Sequence, residues 1–449
     1  MVSLFGSVMP SKVWNPGELG YERVLHDLFN GDAAAMEPSR IIQPRNEEDV
    51  ASAVERARSE GLQLRVRSGG HSRFCSGDGV LMLDLAAHFR AVSLHADLVT
   101  IQGGTSMGEV LRCLAPYGRM IPVGTHDSPG FGLLTMGGLG HLCRSFGLTL
   151  DNIVALRGVD GTGQQFCLNE TDQQSAAWRY LRGAAPFLAV VTEVTLRTHP
   201  RNPLRVNRQL LSLVDLPQAL TDAETMPRHI SCSFVLGVQP DQVQPVVMRY
   251  EVMEHQHWQQ QAQLSQLEAL EWQDQVAGLE DLPGFSIPYG NGTLPPEIPP
   301  DPDRHRRLRS WIYTVSISPG QISVLAPLLQ SAICKAPNPL CRIDLQHSGG
   351  AVRQPLMGRN AYRGREAEWS IVVSSFWAAG DGSAERASRI WADGVFDALE
   401  AIACHVYLVE RHPGTCRYSR ELELAYGSDL SAIRELKRQW DPDSILPSL

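Results

Sequence analysis

Two glycine-dense stretches carry the residues best suited to chemistry. The first, Arg67-Ser68-Gly69-Gly70-His71-Ser72, follows an alternating run containing Leu62, Leu64 and Val66. The second runs Gly124-Thr-His-Asp-Ser-Pro-Gly-Phe-Gly-Leu-Leu-Thr-Met-Gly-Gly-Leu-Gly140. Paired glycines let backbone N–H groups approach an anion closely and accept positive φ, and a pyrophosphate suits such a nest. Tight turns use the same residues, so glycine clusters alone leave both readings open. Two such loops, with a histidine in the first, lean toward a bound dinucleotide. A Rossmann fingerprint does not fit: no GxGxxG follows a first strand, and no acidic residue stands at the required distance.

The elements that hold these loops are legible on either side. Asn46 with Glu47, Glu48 and Asp49 reads as a helix N-cap and an acidic first turn. Val50, Ala51, Val54 and Ala57 continue at helical spacing, and Gly61 stops the run. Leu62, Leu64 and Val66 read as a half-buried strand that leads into the first glycine loop. Short strands are expected at 81–85 and 98–101, and a short helix over Met107–Leu114. From about residue 203 the texture changes. Strand-like alternation covers 206–214, Ile230–Val238 and 244–253, then 311–318, 341–346 and 369–377. Helices are expected at 384–402 and 429–440, and an exposed Gln-rich helix at 255–275. The stretch 281–303 holds seven prolines and reads as a surface excursion.

Bulk properties bound the rest. A chain of 449 residues favours two large domains, and 43% hydrophobic with 20% charged residues is ordinary globular composition. The net charge of −9 argues against a nucleic-acid binder, with the basic run Arg304-His305-Arg306-Arg307-Leu308-Arg309 read as a solvated loop. No apolar run approaches the ~20 residues of a membrane span, and no secretory leader is visible, so a cytoplasmic protein is expected. The nine cysteines are odd in number, irregular in spacing and without a CxxC, which suits reduced thiols and no metal site.

Several motifs in order resemble those of the FAD-linked oxidoreductases of the vanillyl-alcohol-oxidase superfamily, whose FAD domain is called PCMH-type, and within it the berberine-bridge-enzyme-like branch. Ile41-Ile-Gln-Pro, Glu48-Asp-Val and Arg67-Ser-Gly-Gly-His-Ser are similar to the first part of that domain. Gly124-Thr-His, Gly137-Gly-Leu-Gly, Arg144-Ser-Phe-Gly-Leu and Asp151-Asn-Ile-Val are similar to its second part. Ala189-Val-Val-Thr-Glu-Val-Thr-Leu-Arg-Thr-His-Pro200, Tyr407-Leu-Val-Glu and the segment from Arg434 to Leu446 complete the resemblance.

The resemblance implies an α+β fold: a two-part FAD-binding domain from residues 1–200, with 405–449 returning to it, and a substrate domain over 201–404 with an antiparallel sheet covered by helices. It implies FAD attached covalently through His71. The cofactor-binding set carried over is Arg67, Ser68, Gly69, Gly70, His71, Ser72, Gly124, Thr125, His126, Ser128, Gly130, Gly132, Gly137, Gly138, Gly140, His141, Asn152 and Val191. His126 stands where doubly linked members have a second, cysteine attachment, so a second link is not expected. His141 and His347 also read as structural histidines, and Arg365 as a structural ion-pair partner.

The implied chemistry is hydride transfer from a C–O or C–N bond of a small or secondary-metabolite substrate to flavin, with a base taking the O–H or N–H proton. His126, Tyr407 and Glu410 are the candidate catalytic residues, His126 first because of its place near the flavin edge. O₂ is the expected acceptor and a dehydrogenase with another acceptor the alternative. A flavin-scaffolded, redox-neutral cyclase and an FAD-free binding relative are further readings.

Overall fold

The structure, a computed structural model, describes residues 11–238, 244–257, 274–283, 285–286, 307–355 and 359–449. Most of the Gln-rich stretch, most of the proline-rich excursion and the first half of the basic run lie outside the described residues. The fold is α+β, with a four-stranded, a five-stranded and a two-stranded sheet in the first two hundred residues and one large sheet after them.

The first sheet places strands in the order Lys12–Trp14, Arg40–Gln43, Leu81–Asp84, Leu64–Arg67, the last three mutually parallel. Helix Glu47–Glu60 crosses between two of them and buries Val50, Ala53, Val54 and Ala57. Its cap is the one expected, since the Asn46 side chain accepts the Asp49 N–H at 2.8 Å. The second sheet is antiparallel in the order Val92–His95, Leu98–Gln102, Ala189–Arg197, Ile153–Asp160, Gln165–Asn169. Helix Met107–Leu114 stands beside it, opened by a reciprocal Ser106–Glu109 capping box.

Among the described residues, eight strands form the large sheet, all antiparallel. Their order is Asp274–Val276, Leu204–Ser212, Pro245–Glu254, Ile230–Val238, Arg342–His347, Trp369–Ala378, Leu308–Ile317, Ala403–Val406. Alternation along Leu308–Ile317 turns Trp311, Tyr313 and Val315 to one face, where Tyr313 stacks on Phe396 of helix Gly382–Glu400 at 4.3 Å. Ser310, Ile312 and Thr314 turn to the other face, toward a cavity. After the edge strand Ala403–Val406, helices Tyr418–Tyr426 and Leu430–Trp440 return, and the second packs against helix Ala176–Leu188. That helix is kinked at Arg182 and Gly183, where φ at Gly183 is +124° and the Tyr426 hydroxyl donates to its carbonyl at 3.1 Å. Among the described residues no helix is long and apolar enough to cross a membrane.

Buried ion pairs fasten the stretch 143–152, which follows the second glycine loop, to the large sheet and the loops at its end. Arg144 is 4% exposed and donates to Glu368 at 2.5 Å, to the Ser348 carbonyl at 2.6 Å and to the Met226 carbonyl at 2.9 Å. His347 Nδ1 accepts the Cys232 N–H at 3.0 Å, so its Nε2 donates to Glu368 at 3.0 Å. Arg365 grips Asp151 with both Nη atoms at 2.7 Å, the structural role its sequence context suggested. Gly350 sits where any side chain would strike the Arg144 backbone, a Cβ there lying 2.5 Å from its carbonyl oxygen.

Burial alone would raise the Glu368 carboxyl, but the hydrogen bond from His347 and the Arg144 charge outweigh it and hold it down at about 2. Its stabilising contribution is therefore present above an ordinary value of 4.5 and is lost as pH falls toward 2. Glu368→Ala leaves Arg144 buried without its carboxylate, a loss of about 3–5 kcal/mol. The variant should unfold at markedly lower urea concentration, and its stability should lose the acid dependence that the parent shows between those two values.

Candidate active site

The two glycine loops meet. Phe131 N–H donates to Ser68 Oγ at 2.9 Å, and the loops are so close that a Cβ on Gly69 would lie 2.7 Å from Gly130 N. The Gly70 carbonyl accepts from Asn30 N–H at 3.0 Å, which ties the first loop to the N-terminal segment. His71 stacks face to face on Phe29, with ring centroids 3.7 Å apart and planes 16° from parallel. Its Nε2 makes a short hydrogen bond with Ser128 Oγ, which in turn lies 2.9 Å from His126 Nδ1. The two imidazoles thus share one hydroxyl.

A cavity of about 360 Å³ opens between these loops and the large sheet. Of the residues expected at a cofactor, Ser68, Gly69, Gly70, His71, Ser72, Gly124, Thr125, His126, Gly130, Gly132 and Val191 line it, as do Tyr407 and Glu410. Arg67, Ser128, Gly137, Gly138, Gly140, His141 and Asn152 are not in its lining. Arg67 pairs with Asp84 at 3.2 Å. Gly137, Gly138 and Gly140 are turned into protein: Tyr407, Thr149 and the Val123 carbonyl fill the space where their side chains would stand. His141 lies 5.0 Å from the Tyr250 ring, and burial pushes it down to about 4, so it is neutral at pH 7. Asn152 donates to the Phe146 and Leu148 carbonyls at 3.2 and 2.9 Å and meets His199 Nε2 at 2.8 Å, so it shapes the turn behind the loop.

The Tyr407 hydroxyl accepts from Gly138 N–H at 2.8 Å, and burial raises its pKa further above that of a free phenol. It is built to hold the second glycine loop. Burial pushes the Glu410 carboxyl up to about 8, against the opposing pull of Arg73 and Arg411 and with a small added push from Asp32. A carboxyl that changes charge near neutral pH, facing a cavity, is suited to proton transfer.

The sheet side of the cavity was not anticipated residue by residue. Arg342, Asp344 and Gln346 alternate along one strand, so all three turn to the cavity. Asp344 is 3% exposed; burial raises its carboxyl while Arg342, 3.2 Å away, partly offsets that. Gln346 Nε2 reaches Thr125 Oγ1 in the second glycine loop at 3.4 Å. Ser310, Thr314 and Ser374 add hydroxyls to the same wall. Polar residues at every second position of a central strand were the available signal.

A family model described as an FAD binding domain matches residues 38–169. Over 98% of its length the chain is 24% identical to an FAD-linked oxidoreductase of Dictyostelium discoideum, covering 94% of that protein. It is 31% identical to (R)-6-hydroxynicotine oxidase of Paenarthrobacter nicotinovorans over 54% of this chain and 56% of that enzyme. The solved structure of BBE-like 1 from Physcomitrella patens shares the fold, with a TM-score of 0.79, 19% identity, and coverage of 97% of this chain and 96% of that one. The chain thus matches an FAD binding domain over residues 38–169 and has the fold of the solved BBE-like protein. It is an FAD-dependent oxidoreductase.

The site of this oxidoreductase fits the cofactor. Two backbone-rich loops face one cavity, a Cβ on Gly132 would meet open space there, and an imidazole opens onto it. The mutual approach of the loops depends on Gly69 lacking a side chain. Gly69→Ala should push the loops apart, and the purified variant should carry less than about half the parent's flavin per chain by absorbance.

Proposed function

We propose that this oxidoreductase holds FAD covalently through the ring of His71 and takes a hydride from a C–O or C–N bond of a small or secondary-metabolite substrate, with O₂ as the final acceptor. The observation that carries this reading is a single cavity lined by His71, by a carboxyl of raised proton affinity and by a polar sheet wall. In it, residues 1–200 and the returning 405–449 hold the cofactor, and 201–404 contribute the substrate side. Loop residues Ser68–Ser72, Gly124–His126, Gly130, Gly132 and Val191 are the cofactor contacts. FAD, when bound, supplies the two-electron acceptor for the hydride.

The protein's own work is binding, orientation and proton removal. Arg342, Asp344 and Gln346 offer both donors and acceptors to a polar substrate on the sheet wall. A Glu410 carboxylate oxygen takes the O–H or N–H proton as the neighbouring C–H bond breaks. Tyr407 holds the loop through Gly138 and orients rather than titrates. His126 sits beside His71, which suits it better to the attachment residue than to the substrate. The name of the Paenarthrobacter relative, an oxidase of an amine, supports the C–N option. The nine cysteines are free thiols, four of them buried, which supports a reducing, cytoplasmic setting.

Glu410 sets the expected pH profile. The base is ionised above about 8, so flavin reduction should rise with pH toward that value and then level off. Glu410→Gln should slow anaerobic flavin reduction by about 10²–10⁴-fold and remove that limb. Because its folded value lies above the ordinary 4.5, the Glu410 contribution to stability is full below 4.5 and is lost as pH rises through about 8. The Gln variant should therefore be the more resistant of the two to unfolding at pH 9.

Denatured parent protein should retain flavin mass, and His71→Ala should release all of it on denaturation. Free flavin from the denatured parent removes the covalent link from this reading. Substrate oxidation without peroxide formation or O₂ uptake replaces the oxidase with a dehydrogenase.

A further inference from the structure

The hydrogen bonds around His71 have a direction. His126 Nδ1 is approached by two donors, the Ser128 backbone N–H at 3.2 Å and the Ser128 hydroxyl at 2.9 Å. That nitrogen is therefore an acceptor, and the Ser128 hydroxyl gives it its proton. The Ser128 oxygen then accepts from His71 Nε2–H, its short partner. This tautomer leaves the lone pair of His71 on Nδ1. Asp127 Oδ1 lies 3.4 Å from His126 Nδ1, where it faces the positive charge the ring acquires on protonation. Asp127 is itself held: its N–H donates to the Phe285 carbonyl at 2.9 Å, its carbonyl accepts from Gly108 N–H at 2.7 Å, and Arg112 stands 3.7 Å from its other oxygen. The stack of Phe29 on His71 fixes the plane of the attacking ring.

We propose that Ser128, His126 and Asp127 form a built-in proton path that serves the attachment of FAD to His71, and that the bond is made at Nδ1. The inference rests on the covalent reading above and adds the groups that bring the link about. The bond that forms joins His71 Nδ1 to a ring-methyl carbon of the isoalloxazine. A methyl C–H bond and the His71 Nε2–H bond break. The methyl proton leaves to solvent, and the imidazole proton passes to Ser128 while the Ser128 proton moves to His126 Nδ1, whose charge Asp127 then meets. The electron pair of the methyl C–H bond remains on the isoalloxazine, and O₂ takes those two electrons together with two protons from solvent, leaving as hydrogen peroxide. Ser128 and His126 act through His71 and are positioning and proton-accepting residues for attachment.

The test follows attachment, independently of turnover. Full-length chain from riboflavin-starved cells is mixed with FAD in aerated buffer, and adduct mass is measured over time after denaturation. Visible absorbance before denaturation reports total bound flavin. Per bound flavin, Ser128→Ala and His126→Gln should gain the adduct at least about tenfold more slowly than the parent. The glutamine carbonyl accepts the Ser128 hydrogen bond but takes up no proton. Ser128→Thr, which keeps the hydroxyl, should link at close to the parent's rate. Parent-like linking by Ser128→Ala or by His126→Gln overturns the proton path. Should Ser128→Ala bind no flavin, His126→Gln alone decides, in the same way. A parent that binds flavin but never gains the adduct overturns the covalent reading itself, an outcome distinct from a linked parent with equally linked variants.

Discussion

The cavity depends on charges that water no longer reaches. Arg144 and Asp151 flank the turn behind the second glycine loop, and their partners Glu368 and Arg365 come from the end of the large sheet. A buried charge without its partner is far costlier than a broken surface pair, so each clasp has essentially one acceptable arrangement. That arrangement seats the loop against the sheet. It also explains the backbone economy at the contact, where Gly350 meets the Arg144 carbonyl and the Arg144 guanidinium takes up two main-chain carbonyls as well as the carboxylate. Apolar residues from both sides of the seam belong to one core, but hydrophobic contact has no direction. The ion pairs supply the register.

The same seam accounts for the two characters of the large sheet. One face is covered by helices and carries Trp311, Tyr313 and Val315; the other faces the cavity and carries Ser310, Thr314, Asp344 and Ser374. An antiparallel strand with one polar face usually turns that face to solvent. Here Asp344, Ser374 and Ser370 are all buried at 3% or less. A polar face that is buried without being core is the physical mark of a surface meant for a ligand, and it implies that the ligand brings hydrogen-bonding groups of its own.

Much of the architecture was legible because it rests on short-range rules. The Asn46 cap, the Met107–Leu114 helix and the strands at 230–238 and 369–377 fall where residue type and spacing put them. The helix Ile322–Cys334 is less legible, since Pro327 interrupts it, as is the kinked helix around Arg182-Gly183. The cofactor side of the site was readable as motif: eleven of the eighteen expected residues line the cavity. Three of the other seven are glycines turned into the protein, because a glycine motif records close backbone approach without saying whether a ligand or the protein itself is what approaches. Gly138 makes room for Thr149, and Gly137 for Tyr407. The substrate side was less readable because the alternation in Arg342-Ile-Asp-Leu-Gln marks a polar face without saying that this face turns inward. That follows only from which strands flank it.

For the proposed oxidation, three groups are candidates to take the substrate's proton, and magnitude separates them. Tyr407 has its pKa raised by burial and its hydroxyl oxygen already accepts from Gly138, so ionising it at pH 7 would cost more than 4 kcal/mol for a phenol starting near 10. His126 accepts from Ser128 through Nδ1 and faces His71 across that hydroxyl, so its hydrogen bonds run along the glycine loops. Glu410 is a carboxyl whose charge is disfavoured by burial but kept within reach by two guanidiniums. At pH 7 a group with a value of about 8 is about one-tenth ionised, a cost of ~1.4 kcal/mol, and in return it is a stronger base than an ordinary carboxylate by more than three units. Burial that lowers the ionised fraction also raises basicity, and the arginines keep the first effect small enough for the second to be usable. Arg73 follows directly on the first glycine loop, so the segment next to His71 contributes to the balance that sets the Glu410 charge.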